Sequence, residues 1–180
     1  MRELYQTWPT SLTNAQIDAI NVAAFSQPER DATIFASPDK MAEIRVSTIR
    51  WLSDPWISDL LWTYVRRANE DGFAVDVDND AEMQFTEYPA EQGGHYDWHQ
   101  DVHWNGQAAR DRKISVTVQL SDAGDYEGGD FEFDEVKTNA DFRSKGTVLV
   151  FPSYLRHRVL PVTSGTRRSL VAWFFGPRWK

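Results

Sequence analysis

The sequence predicts a mainly β protein with flanking helices (α+β), a double-sheet jelly roll with two N-terminal helices packed on one sheet. Three features carry that prediction. Helix-period segments are confined to the chain before Gly72, about eight short strand-like runs follow it, and turn residues separate nearly all of those runs. The 180 residues, 41% hydrophobic and 13% aromatic, suffice for one domain with a substantial core. The expected organisation is a single domain over 1–180, with helical support over 1–72 and the jelly-roll core over 73–180.

Thr13 or Asn14 can cap a first helix whose Ile17, Ile20, Ala23 and Ala24 recur at helical spacing, and Pro28 ends it. Glu43 to Leu52 alternates as a strand. Asp54-Pro55 opens a second helix, with Asp at the cap and Pro at the first helical position; Trp56, Ile57, Leu60, Leu61, Tyr64 and Val65 form its apolar stripe. Trp51, Trp56 and Trp62 read as core. The strand-like runs are Phe73–Val77, Glu82–Tyr88, His95–Asp101, Lys113–Leu120, Phe131–Phe133, Gly146–Phe151, His157–Val162 and Ser169–Phe175. Asn79-Asp80, Gly93-Gly94, Gly106, Gly124, Gly128-Gly129, Gly146 and Ser164-Gly165 supply the turns.

Composition removes several function classes. There is no cysteine, which excludes disulfides, zinc-thiolate sites and cysteine nucleophiles. Met1 to Thr13 lacks a basic start and an apolar run, and no window reaches the ~18 apolar residues of a membrane span, so a soluble, cytoplasmic protein without membrane partners is expected. A net charge of −8 repels a nucleic-acid backbone, so no nucleic-acid partner is expected. The basic residues Arg156, Arg158, Arg167, Arg168, Arg178 and Lys180 cluster late, and Glu70 to Glu91 is acidic; apart from Arg167 these read as solvated faces. Asp76, Asp78 and Asp80 with Glu87 imitate a calcium loop, but Ala81 replaces the required Gly and a strand follows.

The chemistry gathers in Gly93-Gly94-His95-Tyr96-Asp97-Trp98-His99-Gln100-Asp101. Strand side chains alternate, so Asp97, His99 and Asp101 share a face. A third metal ligand must come from elsewhere, and His157 is the histidine outside this neighbourhood. His99, Asp101 and His157 make two imidazoles and a carboxylate, the facial arrangement of non-haem Fe(II) oxygenases. His95 and His103 share the same strand parity, which keeps a shifted ligand set open; their places beside Gly93-Gly94 and Asn105-Gly106 favour strand ends. Arg167, in Gly165-Thr166-Arg167, offers a guanidinium suited to a dicarboxylate cosubstrate.

Together, Tyr88-Pro89 with Gly93 through Asp101, then Tyr126-Glu127-Gly128-Gly129-Asp130-Phe131, then Gly146 through Trp173, resemble the Fe(II)- and 2-oxoglutarate-dependent dioxygenases, in particular their prolyl 4-hydroxylase-like and PKHD-type hydroxylase branch. The last stretch includes Pro152-Ser153, His157 through Thr163, Gly165-Thr166-Arg167 and Trp173. The resemblance implies a double-stranded β-helix (cupin-like) core, Fe(II) at His99, Asp101 and His157, and Arg167 on the distal carboxylate of 2-oxoglutarate. It also implies that Tyr88 donates its hydroxyl to that carboxylate. Gln119 stands where prolyl hydroxylases often carry Tyr, and the resemblance implies that Trp173 closes the pocket wall. Further implications are O2 as oxidant, ascorbate as reductant, and release of succinate and CO2 as an unactivated C–H bond is hydroxylated.

The leading expectation is a hydroxylase of a peptidyl proline, with a proline-containing peptide or protein as partner. Trp98, Trp104 and Tyr154, the aromatics nearest the ligands in sequence, are the candidate substrate residues. Two rivals stand beside it: a hydroxylase of a free amino acid or other small metabolite, and a jelly-roll metal binder without enzymatic activity. Arg167 separates the last from the others, because a simple metal binder has no need of an anchoring cation there.

Overall fold

The computed structural model describes residues 4–32, 43–104, 106, 108–137 and 141–180. The first helix, α1 (Asn14–Phe25), starts at Thr13, whose hydroxyl accepts from the Gln16 N–H while the Gln16 side chain accepts from the Thr13 N–H. That reciprocal capping box satisfies two of the N–H groups a helix start leaves open. The second helix, α2 (Pro55–Ala68), has Pro55 in its first turn and no side-chain cap from Asp54.

The strands are β1 (Gln6–Trp8), β2 (Arg30–Asp31), β3 (Arg45–Val46), β4 (Thr48–Leu52), β5 (Ala81–Pro89), β6 (His95–His99), β7 (Arg110–Gln119), β8 (Tyr126–Gly128), β9 (Phe131–Phe133), β10 (Val148–Pro152), β11 (His157–Val159) and β12 (Val162–Pro177). They form two sheets. The larger runs β1-β10-β7-β12-β5-β4-β2, with β8 on the early part of β12; the smaller runs β3-β6-β11-β9. This is the jelly roll with two N-terminal helices that the sequence predicted.

The two faces of the large sheet differ in kind. Ile114, Val116 and Val118 of β7, Val148 and Val150 of β10, and Leu170, Ala172 and Phe174 of β12 are buried together with Ile17, Ile20, Ile57, Leu61 and Val65 of the helices. This apolar layer holds helices to sheet, each fully buried aliphatic side chain contributing roughly 1.5–3 kcal/mol. The opposite face presents Ser115, Thr117 and Gln119 of β7, Gln84 and Thr86 of β5, and Arg167 and Ser169 of β12, all buried. That polar face looks into the space between the sheets, where the site lies.

Several expectations are corrected. Phe73–Val77 is not a strand: Phe73 ends a π-helical turn, Asn69–Phe73, and Ala74 takes a left-handed conformation. Glu43 to Leu52 is not one strand, because β3 joins the small sheet and β4 the large one, with the chain crossing between them at Ser47. Ser164-Gly165 is not a turn between strands but an irregularity within the 16-residue β12. Gly165 has φ +69°, and a Cβ there would lie 2.0 Å from the Asp125 carbonyl oxygen, so glycine lets the strand continue past β8. Besides two helices, residues before 73 supply β1–β4 to both sheets. Trp51 and Trp56 are not core, with 40% and 41% of their surface exposed. Arg110 pairs with Asp78 and Asp80, which explains the calcium-like acidic spacing.

Candidate metal centre and cosubstrate pocket

His157 on β11 pairs in register with His99 on β6, which fixes the two imidazoles side by side with ring centroids 4.2 Å apart. The ladder then slips: Val159 pairs with Tyr96, so three steps on β6 match two on β11. This bulge puts Tyr96 on the cavity side with His99, and leaves Asp97 exposed. The regular alternation read from the sequence is thereby corrected for Asp97. The Tyr96 ring stacks on His99 at 3.4 Å and 8°.

Asp101 lies just past the end of β6, its N–H donating to the Ser153 carbonyl at 3.0 Å. Its carboxylate oxygens stand 3.8 Å from His99 Nε2 and 3.6 Å from His157 Nε2, and one ligand atom from each of the three residues lies within 4.8 Å of the others. Each imidazole is oriented through its other nitrogen. His99 Nδ1 is 2.8 Å from the Asp97 carbonyl and His157 Nδ1 is 2.9 Å from the Leu155 carbonyl. A carbonyl only accepts, so each Nδ1 carries the hydrogen and each Nε2 keeps a lone pair for the centre.

Burial, and next the neighbouring His157 imidazole, push the His99 pKa down to about 3, so the ring is neutral as a ligand must be. Burial alone would raise Asp101, but His157, His99 and the Ser115 hydroxyl together hold it below the ordinary carboxylate range. Ser115 Oγ donates to Asp101 Oδ2 at 2.7 Å and lies 2.9 Å from Ser153 Oγ. Two neutral imidazoles and an ionised carboxylate with all lone pairs converging are a donor set that fits a divalent first-row metal. The sequence reading missed Ser115 and Ser153. The available signal was a serine among β-branched residues on a strand with no turn nearby.

His95 and His103 are outside the set. Both ring nitrogens of His95 meet carbonyl oxygens, of Gly93 at 2.7 Å and Glu43 at 3.1 Å, and His103 is exposed.

The same cavity is walled by Tyr88, Thr117, Arg167 and Trp173 from the large sheet. Arg167 pairs in register with Tyr88, is 3% exposed, and has its guanidinium carbon 5.6 Å from the Tyr88 ring centroid. It makes no ion pair among the described residues. Trp173 Nε1 is buried without a hydrogen-bond partner among the described residues. A buried cation and an idle N–H beside a metal-type donor set match the needs of a chelating dicarboxylate. Gly129 makes room for the cation: a Cβ there would stand 3.1 Å from Arg167 Cδ and 2.9 Å from Val162 Cγ2. Gly94 allows β6 to start against Tyr88, since a Cβ would fall 2.6 Å from the Tyr88 carbonyl carbon.

Gln119 lies on the same strand face as Thr117 but is not part of the cavity wall; its Nε2 donates to the Tyr126 hydroxyl at 3.1 Å, and its Oε1 has no partner among the described residues. The candidate substrate residues also lie outside that wall. Trp98 stacks beneath Arg158, 4.4 Å from its centroid; exposed Trp104 donates to Gln100 at 3.0 Å; and Tyr154 packs edge-on against Trp179 at 5.3 Å. Sequence proximity placed them around the ligand loop, but Trp98 alternates with His99 on β6, and Trp104 and Tyr154 lie in turns outside the strands.

Residues 83–175, just over half the chain, match the family model of the 2OG-Fe(II) oxygenase superfamily. A PKHD-type hydroxylase of Synechococcus sp. (strain CC9902) is 36% identical over 85 residues, covering 47% of this chain and 37% of that protein. One from Sphingopyxis alaskensis is 41% identical over 90 residues, covering 46% and 38%. The matched stretch thus spans little more than a third of these relatives' length. Among solved structures, the viral collagen prolyl hydroxylase of Paramecium Bursaria Chlorella virus-1, in its 2OG complex, superposes with a TM-score of 0.70 at 20% identity over 97% of both chains. The Trichoplax adhaerens prolyl hydroxylase, bound to a hypoxia inducible factor peptide fragment, gives 0.74 at 17% identity over 96% of this chain and 84% of that one. With the converging His-Asp-His set, the facing arginine and the family match in the same strands, this chain belongs to the 2OG-Fe(II) oxygenase superfamily.

Proposed function

We propose that the chain is an Fe(II)- and 2-oxoglutarate-dependent hydroxylase acting on a prolyl residue in a peptide segment, with His99, Asp101 and His157 as the iron ligands and Arg167 as the cosubstrate anchor. The observation that carries the reading is the pairing, in one buried cavity, of a metal-type triad with an arginine that has no carboxylate partner among the described residues. A metal binder alone gains nothing from burying that cation, which costs several kcal/mol unless an anion joins it.

The protein's own contribution is positional. Nδ1 of His99 and of His157 donates to the Asp97 and Leu155 carbonyls, which locks both rings in one tautomer. Ser115 holds one Asp101 oxygen and leaves the other free to face the metal. Arg167 and the Trp173 indole N–H orient the cosubstrate, and Tyr88, packed beside Arg167, offers its hydroxyl to the same carboxylate. Thr117 is the β7 side chain that lines the cavity with Arg167. When bound, iron and 2-oxoglutarate supply an oxidant for an unactivated C–H bond, with O2 consumed and succinate and CO2 released. Closure of the site by Phe131, Phe151 and Val159 keeps water away from that chemistry.

Hydroxylation is supported by the relatives, which are PKHD-type hydroxylases, and the prolyl substrate by structural neighbours that are prolyl hydroxylases, one of them carrying a peptide. The test incubates iron-loaded protein and 2-oxoglutarate with proline-containing peptides and, separately, with free amino acids, and follows succinate together with the gain of one oxygen by mass spectrometry. Oxygen on peptidyl proline, lost in His99→Ala, Asp101→Ala and His157→Ala but kept in His95→Ala and His103→Ala, is the expected result. Oxygen only on free amino acids replaces the peptidyl reading. No succinate from a metal-loaded, folded protein removes the oxygenase reading itself.

A further inference from the structure

Among the described residues three arginines are buried: Arg45, Arg50 and Arg167. Arg50 is neutralised by Glu29 and Glu87. The other two line the cavity of the metal triad, and neither has a carboxylate partner among the described residues. Arg167 is accounted for by the cosubstrate. Arg45 is not.

Arg45 is 9% exposed and comes from β3, in the small sheet. Its Nε donates to Ser47 Oγ at 2.9 Å, one NH2 hydrogen reaches Gln84 Oε1 at 2.7 Å, and its guanidinium carbon lies 4.5 Å from the centroid of Tyr96, the ring that stacks on His99. Both hydrogen-bond partners are neutral, so they fix the fork without cancelling its charge. A guanidinium has five N–H donors, and two of Arg45's have partners here. The charge balance points the same way. A divalent metal with Asp101 leaves one positive charge, and Arg167 a second; the two carboxylates of 2-oxoglutarate cancel both. Arg45 then remains as one unmatched buried charge in the wall of the same cavity.

We propose that Arg45 is a specificity-determining residue that binds a carboxylate on the substrate. The proposal rests on the oxygenase reading above and narrows its substrate class. The carboxylate can come from an acidic or C-terminal residue next to the target in a peptide, or from a free amino acid. The overall charge of −8 disfavours anions at long range, but screening confines that field to about 10 Å in ordinary buffer, and inside the cavity the nearby guanidinium decides.

The experiment supplies the iron-loaded protein and 2-oxoglutarate with a mixture of proline-containing tripeptides and free amino acids, every member present both as its carboxylate and as the matching amide. Products are read by mass spectrometry. The wild type should oxidise carboxylate forms in preference to their amides by ~30-fold or more, as expected for a desolvated guanidinium pair. Arg45→Met should abolish that preference, and Arg45→Lys, which keeps the charge, should restore part of it. Whether the oxidised members are peptides or free amino acids separates the two sources. A second readout excludes a role toward the cosubstrate: calorimetric titration of the manganese-loaded protein with 2-oxoglutarate should give the same Kd, within about 3-fold, for Arg45→Met and wild type, and a much weaker one for Arg167→Met. Equal oxidation of acid and amide forms by the wild type, a preference that survives Arg45→Met, oxidation of no carboxylate-bearing member while succinate forms, or a 2-oxoglutarate Kd that collapses in Arg45→Met would each overturn the proposal. Absence of succinate in the wild type would instead count against the oxygenase reading beneath it.

Discussion

Replacing Ser115 by Ala removes one hydroxyl that touches no substrate, yet the structure makes it a metal-affinity change. Ser115 is fully buried on β7, and its Oγ donates to Asp101 Oδ2 at 2.7 Å. The swap leaves little void, so packing loss is minor. What is lost is a hydrogen bond to a buried charge, worth about 1.5–3 kcal/mol, which corresponds to ~10–150-fold in an equilibrium constant. Outer-shell partners of metal ligands typically cost 10–100-fold in affinity when removed, which agrees. The ligand oxygens of Asp101 also lose their orientation, because the Ser153 carbonyl holds only its backbone N–H. Competition against a fluorescent chelator should show Ser115→Ala binding Fe(II) or Mn(II) about 10–100-fold more weakly. Ser153→Ala, whose hydroxyl reaches Ser115 and not the carboxylate, should lose less. Unchanged metal affinity in folded Ser115→Ala would refute the claim that Asp101 is held for a metal.

Arg167→Ala should raise the 2-oxoglutarate requirement by ~30-fold or more while metal stays bound, whereas Arg168→Ala, which loses a half-exposed pair with Glu87 at 2.9 Å and a contact with the Phe25 ring, both outside the cavity, should shift it little; steady-state titration distinguishes them. Gly129→Ala should lower thermal stability by about 1–3 kcal/mol and weaken 2-oxoglutarate binding through Arg167, since φ is +65° and the new methyl meets Val162 and Arg167, with metal affinity retained. The metal-free protein should lose stability as pH falls. Unfolded His99 takes a proton near 6.5, but the folded ring does so only near 3, so between those values protons favour the unfolded chain, and the depressed Asp101 adds a loss of the same sign lower down. A chelated sample whose melting temperature is flat from pH 8 to 5 would contradict this.

What the sequence revealed and what it concealed have one physical origin. The ligands were legible because histidines are few and a His-x-Asp with a distant His is a chemically meaningful set. The helices were legible because their stripes face a wholly apolar layer. Alternation was misleading where it looked most regular. In β7, alternation separates Ser115, Thr117 and Gln119 from the apolar positions but does not say that this polar face is buried; it points into the jelly roll, whose interior must hold charged ligands. For the same reason Arg45, on the polar positions of an alternating run, gave no sign of burial. The bulge opposite His157 put Tyr96 where Asp97 was expected, and an extra residue in a ladder depends on the partner strand, which periodicity does not see. Trp51 and Trp56 read as core because aromatic residues usually are, but the sheet edge and the helix start leave both partly exposed.

The central claim is that one cavity holds the metal on His99, Asp101 and His157 and the cosubstrate on Arg167. Anaerobic titration of the Fe(II)-loaded protein with 2-oxoglutarate, followed by the visible charge-transfer band that a chelated 2-oxo acid gives with ferrous iron, tests it without any knowledge of the substrate. A saturable band in the wild type is predicted, absent in Asp101→Ala and His157→Ala and displaced to much higher 2-oxoglutarate concentration in Arg167→Ala. A band that forms equally well in all four proteins, or in none while iron is bound, would contradict it.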